Sequence, residues 1–148
     1  MERSIFIGYD GREAETFAIC RHTLRKYAPD IPIRAICLDE VRNAGLYWRP
    51  TSRDDKGRLF DDISGFHMST EFACSRFLIP EIVKRQTMEW SPGGWALFVD
   101  CDVMVKQNLY QLRELLDDDK AIMCVKHDHS PMGNVKMDGQ EQTKYPRK

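Results

Sequence analysis

The chain has 148 residues, enough for one domain with a core of its own and too few for two ordinary ones. Lys and Arg total 22 against 23 Asp and Glu, a net charge of −1 that supplies none of the basic field a nucleic-acid binder relies on. With 42% apolar and 30% charged residues, collagen-like, disordered and coiled-coil classes drop out, and no apolar run approaches the ~20 residues of a membrane span.

The first apolar run, Ile5 to Gly8, is short and β-branched and predicts a buried strand ending in the turn Gly8-Tyr9-Asp10-Gly11. From Glu13 the period changes. Ala14, Phe17, Ala18, Leu24 and Ala28 recur at three- and four-residue steps, which predicts an amphipathic helix stopping before Pro29. Ile31 to Leu38 predicts a second buried strand, and strand, helix, strand of this length is a βαβ unit with parallel strands. Residues 40–66 show no period. They hold Trp48, Pro50 and Asp54-Asp55 and are expected to form a long irregular excursion.

Order is expected to return at Ser69-Thr70-Glu71, where a hydroxyl caps a helix carrying Phe72, Ala73, Phe77 and Leu78. Pro80 should break it and leave a short second helix, Glu81 to Gln86. Pro92-Gly93-Gly94 reads as a turn into the strongest strand, Trp95 to Val99, followed by Asp100-Cys101-Asp102 and a further β-branched piece, Val103 to Val105. Asn108 is placed to cap a helix with Leu109, Leu112, Leu115 and Leu116 on one face, and Ala121 to Val125 predicts a fourth strand. The tail 126–148 carries no apolar period and is expected to be loop. The sum is a single α/β domain over 1–148, an open, mostly parallel sheet with flanking helices.

Five cysteines (Cys20, Cys37, Cys74, Cys101 and Cys124) form no CxxC pair and suit neither a disulfide framework nor a zinc site. Small buried thiols are expected, with any metal held by oxygen ligands. The opening residues MERSIFIGYDG lack the long apolar stretch of a secretory signal, so the expected location is the cytoplasm.

Ligands of open α/β sheets bind outside the carboxyl ends of the strands. Asp10 falls there after the first strand, and Asp100 with Asp102 after the third. In an extended segment residues i and i+2 project to one side, about 6.5 Å apart. Two carboxylates at that separation repel by roughly 2–3 kcal/mol at an effective dielectric near 20. A hard divalent cation, Mn²⁺ or Mg²⁺, would reconcile them, filling its other positions with phosphate oxygens and water. With 14 Asp in the chain, a second Asp-x-Asp at Asp117 and Asp119 arises by chance frequency and reads as a solvated helix end. His127, Asp128 and His129, with Lys126 and Lys136, read as surface polar groups.

Three blocks, IFIGYDGREAETFAICRHTLRKYAP, STEFACSRFLIPEI and GWALFVDCDVMV, together resemble nucleotide-sugar glycosyltransferases of the GT-A fold. Within that group the chain is most similar to the retaining enzymes of family eight and their bacterial and viral relatives. VKHD and GQEQTKYPRK add to the likeness. The resemblance implies a Rossmann-like GT-A architecture and hexosyl transfer from a nucleotide-diphosphate sugar, a UDP-sugar first, to an acceptor it does not identify. It implies that Gly8, Tyr9 and Asp10 hold the base and ribose, that Arg76 approaches the donor, and that Asp100 and Asp102 coordinate Mn²⁺ or Mg²⁺. It names no catalytic nucleophile here. In that family a second half supplies the acceptor pocket and a late metal-binding His, so this chain is expected to carry the donor half alone. A homodimer would cover the sheet edge such a half leaves bare.

Two other readings stand beside it. A non-catalytic nucleotide-sugar binding module, completed by a partner chain, would bind the same donor without turnover. Phosphatases of the haloacid-dehalogenase kind also end a buried strand in Asp-x-Asp. They want Thr or Val four residues after the first Asp, where Met104 stands, and carry the motif on the first strand.

Overall fold

Three short apolar runs from distant parts of the chain come together as a parallel sheet in order β2-β1-β6, seen in a computed structural model that describes residues 4–86 and 94–125. β1 is Ser4–Gly8, β2 is Ile33–Ile36 and β6 is Ala96–Val99. β1 lies in the middle, with Ile7 level with Ala35 on one side and Val99 on the other. Between β1 and β2 the chain makes a 3-10 turn, Gly11–Glu13, and then α1, Ala14–Tyr27. This is the βαβ unit read from the sequence, an α/β fold with flanking helices.

Because β1 is central, its two faces are both covered, as a parallel sheet requires. Alternation sorts the residues: Ile5 and Ile7 pack with Cys20, Leu24 and Ala28 of the α1 layer, while Phe6 faces the opposite layer. That second layer is built by α2 (Leu38–Asn43), α3 (Ile79–Gln86) and a small antiparallel sheet. The small sheet has order β3-β4-β5, with β3 Thr51–Arg53, β4 Leu59–Asp61 and β5 Phe66–Met68.

The stretch 40–66 is therefore not an irregular excursion. Most of α2, two strands and their turns occupy it, and Leu59 with Met68 of β5 anchors the small sheet to the core. Strands of three residues carry too little alternation to register as a period. Asp54-Asp55, conspicuous in the sequence, is turn chemistry: Asp54 Oδ1 accepts from the backbone N–H of Lys56 and Arg58, and Gly57 takes φ +76°. Asp61 is buried and accepts from Arg49 Nε at 2.8 Å, from Arg49 Nη2 and from the Ser64 hydroxyl. Arg49 first and Ser64 second hold its carboxyl well below the usual range.

Five other expected elements differ. Residues 71–74 are turns and Ser75–Leu78 a 3-10 helix, so the helix expected from Ser69 does not form, and Thr70 Oγ1 has no hydrogen-bond partner. The second helix, α3, begins at Ile79 rather than at Glu81, which puts Pro80 in its first turn, where a missing N–H costs least. Val103 N donates to Asp100 O at 3.3 Å, a turn that bends the chain away and leaves 103–105 outside any strand. Ala121–Val125 is not a strand either: Ile122 is 75% and Val125 80% exposed. Asn108 does cap the next turn, accepting from Tyr110 N at 2.9 Å, but Leu109–Leu115 winds as a 3-10 helix. The residues 92–93 of the expected turn, and 126–148 with His127, Asp128, His129, Lys126 and Lys136, lie outside the described residues. Among the described residues no helix is long and apolar enough to cross a membrane.

Gly8 is a packing requirement. A Cβ there would stand 2.4 Å from Cδ2 of Phe72, a ring 2% exposed and unable to step aside. Gly8→Ala is expected to cost about 1–3 kcal/mol through overpacking, read from the midpoint of urea unfolding. An unchanged midpoint would show that the ring relocates.

Candidate functional site

Parallel pairing fixes what meets at the carboxyl edge of the sheet. Ile7 lies opposite Val99, so the residues that follow, Gly8 and Asp100, leave β1 and β6 side by side. Three of the sequence-predicted site residues, Gly8, Arg76 and Asp100, are joined there through Phe72. Phe72 packs where Gly8 has no side chain, and the Arg76 guanidinium carbon lies 5.2 Å from the ring centres of both Phe72 and Phe98. Arg76 Nε donates to Phe72 O at 3.3 Å and Nη1 to Asp100 Oδ1 at 3.1 Å. The Asp100 side chain remains 48% exposed and that of Arg76 29%. The Arg76 cation thus lies over two aromatic rings and has the strand-end carboxylate of Asp100 as its counter-charge.

Asp102 does not repeat the position of Asp100. The extended spacing assumed from the sequence is replaced by the turn at 100–103, and Asp102 is exposed. Its carboxylate acts on two buried thiols of the α1 layer. Burial first, and the Asp102 charge second, push Cys20 up to about 11. Burial, then the hydrogen bond from Cys101 Sγ to Glu13 Oε2 at 3.2 Å and the Glu13 charge, push Cys101 up to about 12, with Asp102 adding to it. Both thiols therefore stay protonated at neutral pH. Alkylation with iodoacetamide at pH 8, read by peptide mass mapping, should label exposed Cys124 well ahead of Cys20 and Cys101. Equal labelling would contradict their burial.

Asp10 is fully buried and spends its carboxylate within the fold. It accepts from the backbone N–H of Arg12 (3.0 Å) and of Glu71 (3.1 Å), and from the Arg12 side chain at Nε (3.1 Å) and Nη2 (2.8 Å). Burial works to raise its pKa, but the Arg12 side chain, the two N–H groups and the Arg12 charge outweigh it and hold the carboxyl below its ordinary value. Arg12 Nη2 also reaches Ser69 O at 2.8 Å, and Arg53 of β3 pairs with Glu71 at 2.6 Å. Asp10 is thus the tie between β1, the 69–72 turn and the small sheet. Arg12, Glu71 and Phe72 are the residues sequence reasoning missed. The Asp10–Glu13 spacing, an acidic cap with Glu three residues on, signals the local half, the Arg12 N–H bond to Asp10, and nothing local signals Glu71 or Phe72.

Tyr9 stands apart from the ion pair. Its ring meets Phe17 edge-on at 5.0 Å and lines a groove of about 380 Å³ beside β2, with Arg21, Arg34 and Glu40. Arg76, Asp100 and Asp102 do not line it. No group of three His, Cys, Asp or Glu side chains able to hold a metal occurs among the described residues. Asp100 and Asp102 carry carboxylate oxygens, the donor type a hard cation takes, and Oδ1 of Asp100 is held by Arg76.

No protein-family model matches the chain, and no solved structure matches it. Among curated proteins it is 41% identical over 145 residues to the Arabidopsis thaliana protein described as Protein CDI, a match covering 97% of this chain and 48% of that protein. The chain spans about half the length of the curated relative it matches.

Proposed function

We propose that the chain binds a nucleotide-diphosphate sugar with Mn²⁺ or Mg²⁺ and belongs to a GT-A-type glycosyltransferase that transfers the hexosyl group. The observation that carries this is the Arg76–Asp100 contact at the carboxyl edge of the parallel sheet. A helix-borne arginine and a strand-end carboxylate, 24 residues apart in sequence, meet where open α/β sheets receive ligands. One further feature agrees with it: the Asp10 tie holds the loop between β1 and α1 in one shape.

In this reading Asp100 and Asp102 hold the cation and Arg76 offers its planar fork to the diphosphate. Breaking the glycosidic bond leaves negative charge on the departing nucleoside diphosphate, and a bound divalent metal supplies Lewis-acid stabilisation of that charge. Arg76, already desolvated on one side by Phe72 and Phe98, adds hydrogen-bond donors without reorganising.

A thermal-shift panel of nucleotide sugars, each with and without Mn²⁺, tests this. A ligand at a hundredfold excess over its dissociation constant stabilises by about 2.7 kcal/mol, a rise of about 5–10 °C for a domain of this size. No metal-dependent rise with any nucleotide sugar would refute the reading. Release of free sugar or UDP separates a transferase from a module that only binds.

A further inference from the structure

We propose that the open edge of β2 is a docking site for an extended acidic segment of a partner protein, which adds to the sheet as a further strand. The site lies on the β2 side of the sheet, opposite the β6 side that carries Asp100, and it does not depend on the donor reading above.

Backbone pairing decides which groups are free. Pro32 O accepts from Ile5 N at 2.9 Å and Ile36 O from Tyr9 N at 3.0 Å, so the even-numbered residues of β2 direct their backbone groups to β1. The N–H and C=O of Ile33 and Ala35 therefore point the other way, and among the described residues no strand takes them. Such a row is a template for one more strand.

The side chains set what that strand carries. By alternation Ile33 and Ala35 face the α1 layer and Arg34 the opposite one. On the α1 side the groove of about 380 Å³ runs beside the edge, walled by Tyr9 and Phe17 and bordered by Arg21. Arg21 and Arg34 are exposed, and neither has an ion-pair partner among the described residues. Arg25, one turn beyond Arg21, continues the basic row along α1. Glu40, also lining the groove, stands on α2 past the carboxyl end of β2. A guest strand alternating apolar and acidic residues meets both demands. Its apolar side chains lie against Tyr9 and Phe17, and its carboxylates stand on the side of Arg34. A second copy of this chain is the poorer guest, because joining two β2 edges would bring the uncompensated Arg34 side chains to one seam.

Fluorescence anisotropy of the intact chain with dye-labelled, end-capped octapeptides tests this. A peptide alternating valine and glutamate is expected to bind saturably, and one alternating valine and lysine about tenfold more weakly or worse. Methylating the edge-facing amide nitrogens of the acidic peptide removes its donors and should also cost about tenfold. Arg21→Gln and Arg34→Gln should each weaken the acidic peptide about two- to fivefold. Ala35→Pro should abolish binding and leave the melting temperature little changed, because the Ala35 N–H points away from β1 and edge strands accept proline. Equal binding of the acidic and basic peptides, equal binding of the methylated one, or undiminished binding by Ala35→Pro overturns the proposal. Absence of saturable binding below about 1 mM does so too. A dimer in sedimentation velocity that Ala35→Pro dissociates would assign the edge to a second copy and overturn the proposal as well.

Discussion

Replacing Asp10 by alanine is expected to destabilise the protein by about 2–4 kcal/mol, because it removes one acceptor that serves several donors at once. The backbone N–H groups of Arg12 and Glu71 lose their partner, and the Arg12 guanidinium loses the carboxylate it grips at two atoms. Arg12 is partly exposed and can turn to water, which keeps the figure below that of a wholly buried pair. At an ordinary total stability of roughly 5–15 kcal/mol this is a large share, and the melting temperature should drop by about 5–15 °C. Arg12→Ala, which leaves both backbone bonds to Asp10 in place, should cost less.

The effect should also depend on pH, with a sign set by the depressed pKa. A carboxyl held below its unfolded value stabilises the fold at pH above that unfolded value, and the contribution fades as pH falls through the lower folded one. Urea unfolding at pH 7 and pH 3 should therefore show a wide gap between wild type and Asp10→Ala at pH 7 and a narrower one at pH 3. A gap that widens in acid would mean that Asp10 stabilises as a neutral acid.

Asp100→Ala carries the largest expected effect on binding. The metal-dependent rise of about 5–10 °C expected with a nucleotide sugar should disappear in this variant. The basal melting temperature should change little, because the carboxylate is half exposed and surface ion pairs contribute about 0–1 kcal/mol. Asp102→Ala should act in the same direction. It leaves the Arg76 pair untouched, so its basal melting temperature should match the wild type more closely still. A full metal-dependent shift retained in both variants would remove the carboxylates from the site.

How much was legible beforehand follows from where each signal resides. The βαβ unit was readable because Ile5 to Gly8 is a continuous apolar run and α1 carries a long 3.6-residue period, both of which are local. Asp100 was singled out for ending an apolar strand, and Arg76 from the resemblance alone. Their contact was beyond reach, because it depends on Phe72 and Phe98 converging from separate elements. The small sheet escaped because three-residue strands gain their stability from pairing and from Leu59 and Met68 reaching the core, rather than from their own pattern. The expected strand at Ala121–Val125 failed for the converse reason: it has a strand's composition but makes no pairing in the sheet.

Sequence alone determined the α/β class, the βαβ unit with β1 and β2 parallel, a net charge near zero and the presence of acids just after two of the strands, since each follows from composition or from short-range order. Tertiary structure decided what those acids do. Folding buries Asp10 against donors from its own turn and from Glu71, 61 residues away, and makes it a tie. It turns the chain at 100–103, so that Asp102 does not follow Asp100 in an extended strand, and brings Arg76 over two rings to meet the half-exposed Asp100 carboxylate. The physical reason is that a carboxylate's role is set by the donors and charges around it, and those arrive through contacts that span most of the chain.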